Sequence, residues 1–192
     1  MLIVGTNPLE VDRLLTGGGL RCPGCAGELR PWGHARRRGV RGDHLTVTAR
    51  PRRSSCSGCG STHVLLPSSM LARRADAGVV IGAALVAKAA GAGHRPIALA
   101  LGRPVSTVRG WLRRFGARAG RWRVLFTVLL HALDPMAAPI TVRGSVFGEA
   151  LEVLGLAAAA AARRFGPRPP WQFASFASAG LLLGPAPVVA AG

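Results

Sequence analysis

The chain is short of acids. Its 192 residues hold 8 Asp+Glu against 25 Lys+Arg, a formal net charge of +17. Beyond residue 123 only Asp134, Glu149 and Glu152 remain. An acidic-triad transposase or a related two-metal enzyme needs three carboxylates converging on paired ions from separate strands and a helix. Three acids within one short, helix-rich stretch do not supply that. No Ser/His/Asp or Cys/His arrangement is visible. Gly17-Gly18-Gly19 is not followed by a G-K-[ST] and so is no phosphate loop. The expectation is a protein that is not an enzyme and has no small-molecule substrate.

A leader and a spanning segment are also missing from the pattern. Met1 to Gly5 is apolar but too short for a signal-peptide core, and Glu10 and Asp12 follow closely. Phe173 to Gly192 carries no charge, yet Gly180, Gly184, Pro185 and Pro187 make it a poor membrane helix. Ala150 to Ala162 is too short and includes Glu152. The expected location is the cytoplasm, at the nucleoid, with no membrane partner and with thiols kept reduced.

Cysteine is limited to four residues, and these form two matched pairs, Cys22-Pro23-Gly24-Cys25 and Cys56-Ser57-Gly58-Cys59. Two C-x-x-C knuckles bring four thiolates to one tetrahedral Zn²⁺. A pair of disulfides would need an oxidising compartment, to which nothing sends the chain. A thioredoxin-like redox pair would need a C-x-x-C opening a helix in a βαβ unit. Here the first pair follows a glycine loop and precedes a strand-like stretch. His34, His44 and His63 lie nearby and could replace a cysteine, but with four cysteines filling the site they are expected at the surface or facing DNA. The spacing between the pairs predicts a β-hairpin insert. Leu29 to Arg38 forms one arm, Gly39 to Asp43 the turn, and His44 to Arg50 the other arm, with Leu45, Val47 and Ala49 on its apolar face. His63 to Leu66 reads as a closing strand.

What is abundant is arginine, and it is unevenly placed. Residues 1–123 carry 21 basic and 5 acidic residues, a net +16, whereas residues 124–192 carry a net +1. The 24 Arg against a single Lys fit a GC-rich genome. Codon bias explains arginine over lysine but not the missing acids. A polyanion is the natural partner of the first 123 residues.

Downstream of the cysteines, Asp76 is placed to cap a helix running to about Ala90. Pro96 opens a short second helix, Gly102 supplies a turn, and a third helix runs from about Pro104 to Phe115. Ile97, Leu101, Val108 and Trp111 then meet between helices, and Ala98 allows close approach. This is the pattern of a helix-turn-helix. On the outward face of the third helix, Val105, Ser106 and Arg109 suit base edges, while Arg95, Arg103, Arg113 and Arg114 suit phosphates. After Trp122 the chain becomes alanine-rich. Val124–Leu133, Ser145–Phe165 and Trp171–Ala179 read as helices, and the last residues as disordered.

The expected fold class is α+β: a zinc ribbon over 1–70, a mainly α helix-turn-helix domain over 71–123, and an α-helical, partly disordered region over 124–192. The expected function is sequence-specific binding of double-stranded DNA with Zn²⁺ as a structural cofactor. The alternative is a non-catalytic adaptor that docks onto a transposase or RNA polymerase, with a protein partner held by the C-terminal region.

The stretch Cys22 to Phe115 resembles an uncharacterised family of bacterial proteins with an N-terminal zinc ribbon and a following helix-turn-helix. The residues that carry the resemblance are Cys22-Pro23-Gly24-Cys25, the Arg50 to Cys56 run into Cys59-Gly60, and Thr62 to Pro67. Gly91 to Ala98 and Leu101 to Phe115 complete it. The same pair of modules is similar to the DNA-recognition region of insertion-sequence transposases. The resemblance implies DNA binding, as a regulator or as part of a mobile-element system, and nothing further.

Overall fold

The computed structural model describes residues 1–138 and 144–184; the expected disorder at the chain end falls on residues outside these. The fold is α+β, with a small mixed sheet and seven helices among the described residues. Strand β1 (Leu2–Val4) leads into α1 (Pro8–Thr16), where the Asn7 side chain accepts hydrogen bonds from the Leu9 and Glu10 amides and Pro8 occupies the first helical turn. Strands β2 (Leu29–His34), β3 (Arg38–Arg41), β4 (Thr46–Ala49), β5 (Arg52–Cys56) and β6 (Thr62–Pro67) follow. The four-stranded sheet has the order β1-β6-β5-β2, with β1 parallel to β6 and the other pairs antiparallel.

The insert between the cysteine pairs is a long hairpin, with its turn three residues later than the sequence pattern suggested. β2 pairs with β5 and β3 with β4, so one arm spans Leu29 to Arg41 and the other Thr46 to Cys56. The register slips between Pro31 and His34, where proline cannot donate to the ladder. The turn closes through Gly42 N–H to Leu45 O at 2.7 Å. Arg41 is strand rather than turn because the 75–77 segment claims it: its amide donates to Ala75 O and its carbonyl accepts from Ala77 N. The expected apolar face of the second arm is only partly covered. Ala49 packs with Val40, Leu66 and Met70, but Leu45 and Val47 are exposed.

Among the described residues the helices after α1 are α2 (Gly78–Ala89), α3 (His94–Ala100), α4 (Val105–Gly116), α5 (Ala119–Leu133), α6 (Val146–Phe165) and α7 (Pro170–Ala177). The α3–α4 turn passes through Gly102 at φ 59, a left-handed conformation that glycine adopts without penalty. Ile97, Val108 and Trp111 are buried between the helices as expected, with Leu101 packed against them.

Two expectations need correction. Asp76 does not cap α2. The cap position is Ala77, with no side-chain hydrogen bond. The Asp76 carboxylate is instead buried between two guanidinium groups, which outcompete the helix amides for it. The proposed boundary at residue 123 also falls inside α5. One cluster of buried side chains runs from Leu71 through Phe115, Trp122, Phe126 and Leu154 to Leu183, so the α3–α4 pair and the C-terminal helices share a core. The Trp122 indole N–H donates to Leu182 O at 3.1 Å and ties the two stretches together.

Candidate metal centre and nucleic-acid interface

The two cysteine knuckles are built alike. Cys22 N donates to Gly27 O, and Ala26 N back to Cys22 O; Cys56 N donates to Ser61 O, and Gly60 N to Cys56 O. In each loop the amide two residues on, Gly24 N or Gly58 N, points at the first sulfur from 3.4 Å. Cys56 ends β5 while Cys22 precedes β2, and β2 pairs with β5 through Leu29 opposite Cys56. That register brings the loops face to face. Gly27 lies so close that a Cβ there would sit 2.9 Å from Cys56 Sγ, which leaves room for no other residue.

All four sulfurs lie within 4.8 Å of one another, with Cys22–Cys59 at 3.8 Å and Cys25–Cys56 at 3.4 Å. A tetrahedron of metal–sulfur bonds of about 2.3 Å has edges of about 3.8 Å, so the cluster fits one ion. All four thiols are free. Left to themselves they conflict electrostatically. The Gly27 amide favours the Cys25 thiolate, but the neighbouring Cys56 and Cys59 sulfurs outweigh it and push Cys25 up to about 12. The Ser61 hydroxyl and amide hold Cys59 down at about 6. A divalent cation between the sulfurs removes this conflict and favours the thiolate at each.

His63 is a partner of the centre that the sequence reading placed at the surface. It is buried, and its Nε2 lies 3.4 Å from Cys22 Sγ. Burial lowers its pKa, which favours the neutral ring. A neutral ring with its proton on Nε2 donates to the sulfur and disperses thiolate charge. Strand alternation carries the signal: His63 is two residues before Leu65, whose side chain packs with Cys22 and Cys56.

The residues singled out on α4 divide into two sets. Val108, Trp111, Leu112 and Phe115 are buried. Val105, Ser106, Arg109 and Arg113 are exposed and fall within about a third of the helix circumference, at about 100° per residue. Ser106, Arg109, Gly110, Arg113 and Arg114 surround a hollow of about 130 Å³. Arg95 is exposed on the first turn of α3.

Arg103 departs from the set. Its Nε donates to Asp76 Oδ1 at 2.7 Å and its Nη2 to Gly42 O at 2.6 Å, and Nη1 reaches Leu101 O. Arg41 holds the other side of the same carboxylate at 2.7 Å. Arg103 therefore locks the α3–α4 turn to the hairpin and is not free for a phosphate. The acids after α4 are also engaged. Glu149 is buried against Arg123 at 2.6 Å and Asp134 pairs with Arg163 at 2.8 Å. Among the described residues no helix is long and apolar enough to cross a membrane.

No family model matches the chain, and neither do curated proteins or solved structures. The resemblance drawn from the motifs rests on the residues themselves.

Proposed function

We propose that the chain is a non-catalytic, sequence-specific DNA-binding protein whose α3–Gly102–α4 unit acts as a helix-turn-helix, with α4 in the major groove. In this reading the cysteine pairs form a zinc ribbon that holds one structural Zn²⁺. Four thiolates and no oxygen donor suit zinc, a borderline-soft ion content with tetrahedral sulfur. The observation that carries the DNA reading is the outward face of α4. It combines small side chains at its N-terminal end with Arg109 and Arg113 above them, and no acid lies on the helix.

Arg109 is the base-reading residue, supported by Ser106 and Val105. Arg95, Arg113 and Arg114 hold phosphates, which fix register without reading sequence. Arg103 is withdrawn from that group. The protein serves as a transcriptional regulator or as the recognition component of a mobile-element system.

The test is a binding selection on random duplexes with the zinc-loaded full chain and with Arg109→Ala. One preferred base pair is expected to lose about 1–3 kcal/mol of discrimination. Unchanged preference in Arg109→Ala overturns the assignment. A second reading, a non-catalytic adaptor for a transposase or polymerase, draws on exposed apolar side chains. Trp32, Leu45 and Val47 are all more than half exposed, at 58%, 63% and 53%. A wild-type chain with no affinity for duplex DNA at low salt favours that reading.

A further inference from the structure

A cleft of about 680 Å³ opens beside the C-terminal end of α4. Six arginines reach it from three segments: Arg36 and Arg38 just before and at the start of β3, Arg73 and Arg74 between β6 and α2, and Arg114 on α4 with Arg118 at the junction of α4 and α5. The remainder of the lining is apolar, with Val64, Leu66 and Leu183 among it. All eight acids of the chain lie among the described residues, and none lines the cleft. Five of them, Asp12, Glu28, Asp76, Asp134 and Glu149, are held by arginines elsewhere.

The arginines are not merely solvated surface charge. Arg38 and Arg74 are half-buried, and the Nε of each is shielded from water with no hydrogen-bond partner among the described residues. Arg38 Nη2 lies 3.9 Å from Met70 Sδ, and Arg74 Nη2 donates to Leu183 O at 2.9 Å. Burial lowers the pKa of both guanidiniums, and Arg114 lowers that of Arg74 further. Half-desolvated cations that repel each other are unfavourable unless an anion compensates them.

We propose that this cleft is a phosphate-binding site that holds backbone phosphates of the nucleic acid lying against α4. The proposal rests on the DNA-binding reading and extends it to the strand half of the molecule. The anion is phosphoryl in kind because guanidinium forks match its oxygens, while the apolar floor offers nothing to read a base. A run of phosphates suits the cleft better than a single anion. The guanidiniums come from three separate segments, and Arg114 lines both this cleft and the hollow on α4. One strand leaving the α4 face therefore continues into the cleft. Net charge marks this region in the sequence, but Arg36, Arg38, Arg73, Arg74 and Arg118 converge only in the fold.

The test uses the zinc-loaded full chain and the double variant Arg38→Gln/Arg74→Gln, each titrated with duplex DNA over a range of salt. Each phosphate contact contributes about 0.9 to the slope of log affinity against log salt, so the variant is expected to lose about 2 from the slope and bind roughly thirtyfold more weakly at 0.15 M. Its preferred sequence stays the same. Arg38→Lys/Arg74→Lys restores most of the slope, which a structural role for the guanidiniums would not allow. A folded, metal-replete double glutamine variant with wild-type affinity and slope overturns the proposal. If Arg109→Ala loses its sequence preference in the same experiment, the DNA-binding reading survives that failure. Inorganic tripolyphosphate is the second probe. It is expected to compete with duplex for the wild type. A wild type that takes tripolyphosphate but no duplex overturns the nucleic-acid occupant and the DNA reading together.

Discussion

The two halves of this molecule bury cores of very different size. The helices from α2 to α7 share one cluster of 23 buried residues, built on Phe115, Trp122, Phe126 and Leu154 among the described residues. The core beneath the knuckles has seven, and two of those are Cys22 and Cys56 themselves. A core that small does not sustain a fold of about 70 residues, and small domains make up the difference with metals or disulfides. The helical half has apolar area of its own to hold it, whereas in the proposed reading the strand half depends on an ion held by its thiolates. The halves meet through Asp76, with Arg41 on one side and Arg103 on the other, and through a third cluster of Ile3, Val40, Leu66, Met70 and Ala72.

The largest expected effect separates the halves directly. Metal analysis of the purified chain is expected to give one equivalent of zinc, and Cys56→Ala or chelation to remove about 10 kcal/mol of binding free energy that is also folding free energy. Hydrogen exchange reads the outcome by region. Protection is lost in β2, β5 and β6 and retained in α5 and α6. Loss of protection in all helices at once breaks the contrast and makes the chain a single cooperative unit. Acid reaches the same end. The Cys59 thiol sits at about 6, below its ordinary 9.0. In metal-free folded protein its contribution to stability is therefore complete above pH about 9 and lost as pH falls through about 6. With metal bound, all four thiolates are ligands and protons compete for each. Zinc release is expected to begin below pH about 6, read by a chromogenic chelator. Retention of the ion at pH 4 contradicts a four-thiolate site.

The second effect tests the joint. Asp76 is 2% exposed and accepts from both Arg41 and Arg103. Asp76→Ala leaves two cations facing each other in a half-buried site, at a cost of about 3–5 kcal/mol by urea unfolding. The loss is expected in the full chain with zinc bound, because the metal does not replace this tie. A change below about 1 kcal/mol would mean that the third apolar cluster and the hydrogen bonds from Ser175 to Met70 O and from Arg74 to Leu183 O join the halves without the carboxylate.

These two regions were unequally legible in the sequence. Cysteine spacing alone brought Cys22, Cys25, Cys56 and Cys59 to one place, because knuckle geometry is local and chemically specific. Val108 and Trp111 on the buried stripe of α4 were legible from helical period. What escaped was set by residues far apart in the chain. Asp76 has the look of an N-cap, and only the fold shows that arginines 35 and 27 positions away claim it. Arg103 has the look of a phosphate contact for the same reason. His63 lies four residues after Cys59, and its contact is with Cys22, in a loop 41 residues upstream. The domain boundary at 123 followed a change in charge, but charge is a surface property, and the core crosses that point without a break.

The smallest effect sharpens a comparison within the metal site. The knuckles repeat the same hydrogen bonds, yet the residue after the second cysteine of each pair differs: Ala26 at φ 57 in the first and Gly60 at φ 70 in the second. Both angles lie in the left-handed region, where a Cβ crowds the backbone and glycine does not. The first knuckle therefore stores strain that the second avoids. Ala26 is exposed, so its methyl contributes little packing to set against this. Ala26→Gly is expected to relieve the strain, less the extra freedom that glycine gives the unfolded chain, for a net gain of about 0.5–1 kcal/mol. Competition with a calibrated chelator reads this as zinc affinity about two- to fivefold tighter. Gly60→Ala is expected to weaken affinity by a similar factor, since it introduces the strain that Ala26 already bears. If both substitutions leave affinity unchanged, the amide-to-sulfur hydrogen bonds govern the knuckles and the backbone angle does not.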